Sequence, residues 1–459
     1  MSNQAAVFGH ESGERPPAGA IGCHLGEALE LCHRRLAAYC VRPLEPVEID
    51  LLTVAGLIAF ADRSVTRRRA SGWTRRLEVR LPVYEFERWS HPSVTAALVN
   101  CLRTLTGDVW LLEFAKRREG PGEELLLDFT QELEAPGVVF PYSDGLDSFA
   151  GLRLHAGLDE RVWLMTMEHG SRVGAGSKRT QEGSGPHHAL RVPLRFHGLG
   201  HPEPTFRTRT FLFLISAAVA CRVAGAKRIA IAENGQGALG PSLVPVGNEH
   251  PYLSSHPRFV QSIQLFLKSL LDGWAPHFNQ PNLWRVKSSL LRALQERGVL
   301  RGWHRTNSCS RNIQRDKGGN APASCGLCGG CLLRRVSVAA AGIDDLTDYF
   351  FADISRSSLS EMITCNPRRP LTSNDTDHSA HAVLNMAYLA SVAEWPEDHA
   401  PWRQAVFDLS KSLNQPRATV EENLRDLLRQ HQQEWRAFLR QLPWSSWIVQ
   451  SAQEVRSAC

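Results

Sequence analysis

Two hydrophobic periods alternate along this chain. Leu77, Val79 and Leu81 alternate with Arg76, Glu78 and Arg80, a period of two that predicts a half-buried strand. Trp110, Leu112 and Phe114 repeat the pattern, and Leu125 and Leu127 do so more loosely. Val94 to Leu105 between them predicts a helix. Cys23 to Cys40 also has helical spacing, and Leu51 to Ala61 is an apolar stretch running into Asp62-Arg63. These elements describe an α+β accessory domain over 22–136, behind a polar leader, 1–21, expected to be disordered. Ala135-Pro136-Gly137 reads as the boundary.

From Gly137 the pattern changes to strands alternating with helices, which predicts a parallel sheet covered on both faces. Strands are expected at Val138–Tyr142, Val162–Met167, Leu190–Phe196, Arg228–Ala232 and Leu283–Val286; Pro193 would put the third at an edge or bulge. Helices are expected at Arg207–Ala224, Arg258–Leu271 and Ser289–Arg297. Ligands of such sheets sit at the carboxyl ends of the strands. That rule gathers Ser143 to Ser148, Glu168-His169-Gly170 and Glu233 to Gly237 around one crevice. Beyond Leu346 helix signals dominate, broken at Pro367–Asp377 and resuming as His378–Glu394, Trp402–Leu413 and Thr419–Leu442. Trp395, Trp402, Trp435, Trp444 and Trp447 in this tail are expected to pack in its core, with a partner-docking face as the rarer alternative.

Length and composition narrow the class. At 459 residues two or three domains are expected, and 43% hydrophobic with 22% charged residues describes a globular protein. No apolar run approaches the roughly 20 residues of a membrane span, and the first residues lack the apolar core of an export signal. The expectation is a cytoplasmic protein. A net charge of +5 admits polyanionic ligands without a strong nucleic-acid signal.

Two stretches carry candidate chemistry. The first is Val138-Val139-Phe140-Pro141-Tyr142-Ser143-Asp144-Gly145-Leu146-Asp147-Ser148, a strand, a tight turn and a helix start. Backbone N–H groups and the helix dipole converge on such a turn and favour an anion; Ser143 and Ser148 add hydroxyl donors, and Asp147 can hold Mg²⁺. An ordinary Ser/Asp helix cap is the plainer alternative. Two neighbours are weaker. Gly174-Ala175-Gly176-Ser177-Lys178 lacks the spacing of a Walker A loop, and His187-His188 point apart on extended backbone.

The second stretch is Cys309, Cys325, Cys328 and Cys331, of the form Cys-x15-Cys-x2-Cys-x2-Cys. Three closely spaced thiolates and one returning across a loop suit a closed tetrahedral Zn²⁺ site; an iron–sulfur cluster uses the same ligands. Cys23, Cys32, Cys40, Cys101, Cys221, Cys365 and Cys459 are scattered and read as small hydrophobes or surface thiols. With no export signal they do not describe a disulfide framework.

The turn resembles the PP-loop, Ser-Gly-Gly-x-Asp-Ser, of ATP pyrophosphatases. Ser143, Gly145, Asp147 and Ser148 match, Leu146 takes the free position, and Asp144 stands where the family has its first glycine. The order of loop, parallel sheet and Cys309…Cys325-Gly326-x-Cys328-x2-Cys331-x2-Arg334 is similar to the QueC family of ATP-dependent 7-cyano-7-deazaguanine synthases. Arg209 and Lys287 match that family more weakly. The resemblance implies a PP-loop (adenine-nucleotide α-hydrolase-like) core over 137–343, with ATP and Mg²⁺ at Ser143, Asp144, Gly145, Leu146, Asp147 and Ser148. It further implies catalytic roles for Asp147 and Lys287, substrate contacts from Arg209, Glu233 and His169, and structural Zn²⁺ on the four cysteines. The implied activity is adenylation of a 7-deazaguanine carboxylate for transfer to an amine. The regions before the loop and after the knuckle, the latter a helical region over 344–459, resemble the longer layout of the QueC-like QatC components of bacterial anti-phage systems. That layout implies a protein partner from the same defence operon. Housekeeping queuosine synthesis and a non-catalytic ATP-binding scaffold are the alternatives.

Overall fold

The computed structural model describes residues 4–31, 42–67, 72–118, 120, 136–143, 145–155, 162–168, 188–197, 203–244, 247–311, 324–364 and 371–458. The protein is α/β, with parallel sheets and a cluster of four cysteines. It divides into two compact units, each assembled from separate stretches of chain. One comprises Met1–Ser143, Ala156–Ile231 and Val246–Pro281; the other comprises Asp144–His155, Ala232–Pro245 and Asn282–Cys459. These units do not divide at the linkers expected near residues 136 and 343.

The first unit holds all ten strands found among the described residues: β1 (Gln4–His10), β2 (Ile21–His24), β3 (Leu29–Leu31), β4 (Arg76–Val83), β5 (Val109–Lys116), β6 (Val138–Pro141), β7 (Val162–Glu168), β8 (His188–Phe196), β9 (Arg228–Ala230) and β10 (His277–Asn279). They form two sheets, ordered β2-β1-β4-β5 and β10-β9-β6-β7-β8-β3. Every pairing is parallel except β3 with β8. On β4 the alternation is as expected: Leu77, Val79 and Leu81 are buried and Arg76 is exposed. The helix Pro46–Ser64 packs against β3, β4 and the helix Arg209–Val223. It is buried on nearly every face, so its apolar residues show no single stripe.

Beside this core, Asp62, Arg67, Arg75, Asp108 and Glu203 form a buried ion network. The Arg75 guanidinium donates to Asp62 Oδ1 and Asp108 Oδ2, each at 2.6 Å, and Arg67 donates to Asp108 Oδ2 at 2.6 Å. The Thr208 N–H donates to Asp62 at 2.8 Å and the Arg67 N–H to Glu203 at 2.7 Å.

Several expectations fail in this unit. The leader is not disordered throughout, because Gln4–His10 is the inner strand β1, paired in register with β2 and β4. Only Val7 among its apolar residues is fully buried, too thin a signal for periodicity to register. Cys23 to Leu31 is the end of β2, a turn and β3 rather than helix, and the rest of that stretch lies outside the described residues. Pro193 is on an inner strand but at a position locally unpaired toward β3. β8 lies between β7 and β3, and the pairing with β3 begins at Leu194, so the missing N–H of Pro193 interrupts no described bond on that side. Leu125, Leu127, the glycine-rich stretch 174–178 and His187 lie outside the described residues.

The second unit is helical. Helices Leu146–His155, Gly235–Leu243, Lys287–Glu296, Gly329–Ala341, Ser373–Val392, Ala400–Leu413, Arg417–Arg440 and Trp447–Ala458 surround three apolar clusters. Pro257–Leu270 and Arg209–Val223, both expected, belong to the first unit. The strand expected at Leu283–Val286 is a turn, its backbone committed elsewhere. Arg285 N–H donates to Asn282 O at 3.0 Å, and its carbonyl accepts from Gly235 N–H at 2.9 Å. The break at Pro367–Asp377 ends sooner than expected: a capping box of Thr372 and Asp375 starts the next helix at Ser373. Trp402 and Trp435 are buried, Trp395 and Trp447 half-buried, and Trp444 is 73% exposed. Among the described residues no helix is long and apolar enough to cross a membrane.

Candidate active site and metal centre

Three helix starts in the second unit bring polar side chains together. Asp147 lies in the first turn of Leu146–His155, Asn234 caps Gly235–Leu243, and Lys287 opens Lys287–Glu296. Lys287 Nζ donates to Asp147 Oδ2 at 2.8 Å, and Asn234 Nδ2 donates to Asp147 Oδ1 at 2.9 Å. Both carboxylate oxygens are therefore held. Asn234 Oδ1 accepts the Gly237 N–H at 3.2 Å, so one side chain caps a helix and orients the aspartate. The Lys287 side chain is 6% exposed and that of Asp147 15%.

Glu233 completes the cluster. Its carboxyl lies over Gly237: a Cβ there would come within 2.0 Å of Glu233 Oε1, so any larger residue would push the carboxyl aside. Burial and the Asp147 charge push the Glu233 carboxyl up to about 7, against the opposing pull of Lys287. Gly235 is equally constrained, since a Cβ would lie 2.3 Å from Leu283 O. That close approach lets the turn before Lys287 rest on the cap of the neighbouring helix. The result is one ammonium and two carboxylates at converging helix N-termini, a set suited to a divalent cation and to a phosphate chain.

The residues expected at this site are unevenly placed. Asp147, Glu233 and Lys287 come together, with Leu146 buried behind Asp147. Gly145 and Ser148 flank the same helix start, and Ser143 follows the last strand residues in the first unit. Asp144 and His169 lie outside the described residues. Arg209 opens a helix of the first unit with its side chain exposed. Asn234 and Gln236 fall within the loop Glu233 to Gly237, but neither carries a motif of its own. Sequence reasoning misses His431 and Glu434 altogether.

The four cysteines converge on one point. Their Sγ atoms lie within 4.8 Å of one another. Cys325 and Cys331 are 3.9 Å apart and Cys328 and Cys309 3.8 Å. Those separations are far too long for disulfides and match the roughly 3.8 Å edge of a tetrahedron with Zn–S bonds of about 2.3 Å. Two Sγ atoms already accept backbone N–H groups: Cys309 from Cys325 at 3.4 Å and Cys325 from Cys328 at 3.2 Å. Cys328 is the N-cap of Gly329–Ala341, where the helix dipole favours thiolate. These residues could hold a metal ion such as zinc.

Arg334 anchors the knuckle from below. Fully buried, it donates to Thr306 O at 2.8 Å and Trp303 O at 3.1 Å, fixing the segment that carries Cys309. Arg311, two residues past Cys309, donates to Asp375 Oδ1 at 2.8 Å and so ties the knuckle to the helix Ser373–Val392.

A scan against protein-family models matches none, and no curated protein matches the chain.

Proposed function

We propose that this chain is an ATP pyrophosphatase-type ligase, QueC-like in its chemistry, that adenylates a carboxylate and passes it to an amine. The observation that carries the reading is the Lys287–Asp147 contact at 2.8 Å: the aspartate of the PP-loop-like stretch meets the lysine matched independently, 140 residues later.

In this reading the phosphates of ATP lie against Ser143 to Ser148 and the helix start behind them. Mg²⁺ bound with ATP would supply charge neutralisation, and Asp147 and Glu233 are the carboxylates that would hold it. A substrate carboxylate oxygen attacks the α-phosphorus, the bond to the bridging oxygen breaks, and pyrophosphate leaves. Lys287 stabilises the charge gathering on the phosphoryl oxygens, which is most of what such a transfer asks of a protein. An amine then attacks the acyl carbon and AMP departs. Once Mg²⁺ has left with pyrophosphate, the Glu233 carboxyl, raised toward 7 by burial, would be free to take the proton released from the amine nitrogen.

The substrate proposed is 7-carboxy-7-deazaguanine, and the setting is bacterial anti-phage defence in the manner of QatC. The acceptor amine belongs to a partner protein, or is ammonia, as in the housekeeping reaction. Asp144 in place of the loop glycine favours a second reading, an ATP-binding scaffold without turnover. Pyrophosphate release from Mg·ATP, with and without 7-carboxy-7-deazaguanine and ammonium, separates them. The ligase reading requires carboxylate-dependent release that Asp147→Ala abolishes; ATP binding without release leaves the scaffold. Intact-mass analysis of a co-expressed partner then distinguishes the acceptors, since conjugation adds a deazaguanine-sized mass that depends on Asp147.

A further inference from the structure

Lys287 begins its helix without a side-chain cap, because Val286 at the N-cap position has nothing to offer. Its backbone N–H is satisfied instead from another helix: it donates to Gln236 Oε1 at 2.9 Å. Gln236 is buried, and its Nε2 lies 2.8 Å from His431 Nδ1. The other ring nitrogen, His431 Nε2, is 3.1 Å from the Met386 carbonyl. A carbonyl can only accept, so Nε2 carries the proton and Nδ1 accepts from the Gln236 amide. That assignment fixes the amide: reversing Gln236 would turn its NH₂ against the Lys287 N–H and leave two donors facing each other. His431 is wholly buried.

The same helix grips the next residue. Three positions after His431, and hence on the same face, Glu434 Oε1 accepts the Ser288 hydroxyl and lies 3.7 Å from the Arg292 guanidinium. Helix Arg417–Arg440 thus sets both the entry and the first turn of the helix that presents the Lys287 ammonium to Asp147.

We infer that His431, acting through Gln236, is a positioning residue for Lys287, and that the C-terminal helical region is a working part of the site. The inference rests on the function proposed above for Lys287 but is tested separately from it. A misplacement near 1 Å at a reacting group costs about 10²-fold in rate. His431→Phe removes both nitrogens and should lower pyrophosphate release from Mg·ATP about 10²-fold, with metal content and circular dichroism unchanged. His431→Asn, whose Oδ1 falls where Nδ1 sits and keeps the acceptor for the Gln236 amide, should recover at least part of the loss.

Two readouts decide the matter. In the double variant His431→Phe with Lys287→Met, the losses should not add, because both act on one ammonium; additive losses overturn the proposal. Amide hydrogen exchange on the peptide spanning Lys287 and Ser288 needs no turnover. Protection there should fall in His431→Phe and hold in His431→Asn, and unchanged protection in His431→Phe overturns positioning whether or not the protein is active. Should wild type release no pyrophosphate while exchange behaves as expected, the ligase reading fails and the positioning stands.

Discussion

Buried charge is handled in opposite ways in the two units. In the first, Asp62, Asp108 and Glu203 face Arg67 and Arg75, and the remaining carboxylate capacity is taken by backbone N–H groups and threonine hydroxyls. Burial alone would raise Asp62, but the Arg75 and Arg67 charges outweigh it and hold the carboxyl below its ordinary range; Glu203 is held low against burial by the Arg67 and Thr205 N–H groups. In the second unit Asp147 and Glu233 share one ammonium, Lys287, and Glu233 is pushed up instead of down. The first arrangement saturates its carboxylates, though the Nε of Arg67 and that of Arg75 have no partner, and it knits distant segments into one core. The second has the same formal surplus of one carboxyl, but there burial keeps Glu233 high at the helix N-termini, and a cation bound beside it would draw it back to carboxylate.

The cysteine knuckle extends the comparison to a shell that a metal ion would close, and there the largest effect is expected. Cys₄ zinc sites have apparent binding free energies of about 10 kcal/mol or more in peptides. Cys328→Ser should therefore remove roughly one equivalent of metal per chain and unfold the knuckle. Elemental analysis and thermal unfolding report it, and wild-type protein purified under reduction without metal would refute it. Next comes the saturated network. Arg75→Met leaves Asp62 and Asp108 with Arg67 alone and should cost about 3–5 kcal/mol in urea unfolding; a loss below about 1 kcal/mol would erase the contrast between the units.

Asp147→Asn should behave differently. It loses the Lys287 ion pair and turns its NH₂ on a donor, but it also relieves repulsion with Glu233, so the stability loss should fall below the roughly 3–5 kcal/mol expected of Arg75→Met, while pyrophosphate release disappears. A large loss of stability would make Asp147 another saturated, structural carboxylate. A further effect is in the pH dependence. Glu233 binds its proton more tightly folded than unfolded, 4.5 rising to about 7, so stability should decline as pH climbs through that window. Glu233→Gln should flatten the slope, and Mg·ATP should shift it to lower pH by favouring the carboxylate.

How much of this is legible in the sequence depends on distance along the chain. Cys325, Cys328 and Cys331 sit within two turns, so their spacing alone carries the reading, and Cys309 needs only one loop to return. Asp147 and Lys287 stand out through motif context; that they touch is tertiary information no local pattern carries. His431 and Glu434 look like polar interruptions on an amphipathic helix, since their partners Gln236 and Ser288 lie far upstream. The parallel sheets hide β1 for a related reason. In this strand of mostly small residues Val7 and Phe8 are adjacent rather than alternate, so it has no period to read until its neighbours are in place.

The interleaving of the units has a consequence for synthesis. Leu146, Phe149, Ala150 and Leu154 leave the ribosome early, yet the residues they pack against, Leu290, Leu291, Leu294, Trp303 and Val338, come well over a hundred positions later. At translation rates of about 5–20 residues per second that gap lasts on the order of ten seconds. Throughout it, the nascent helix behind Asp147 displays an unmatched greasy stripe while the chain on either side of it can already collapse. A chaperone that shields short apolar helices during elongation is therefore expected to set the yield of this protein more than any single contact in its finished core.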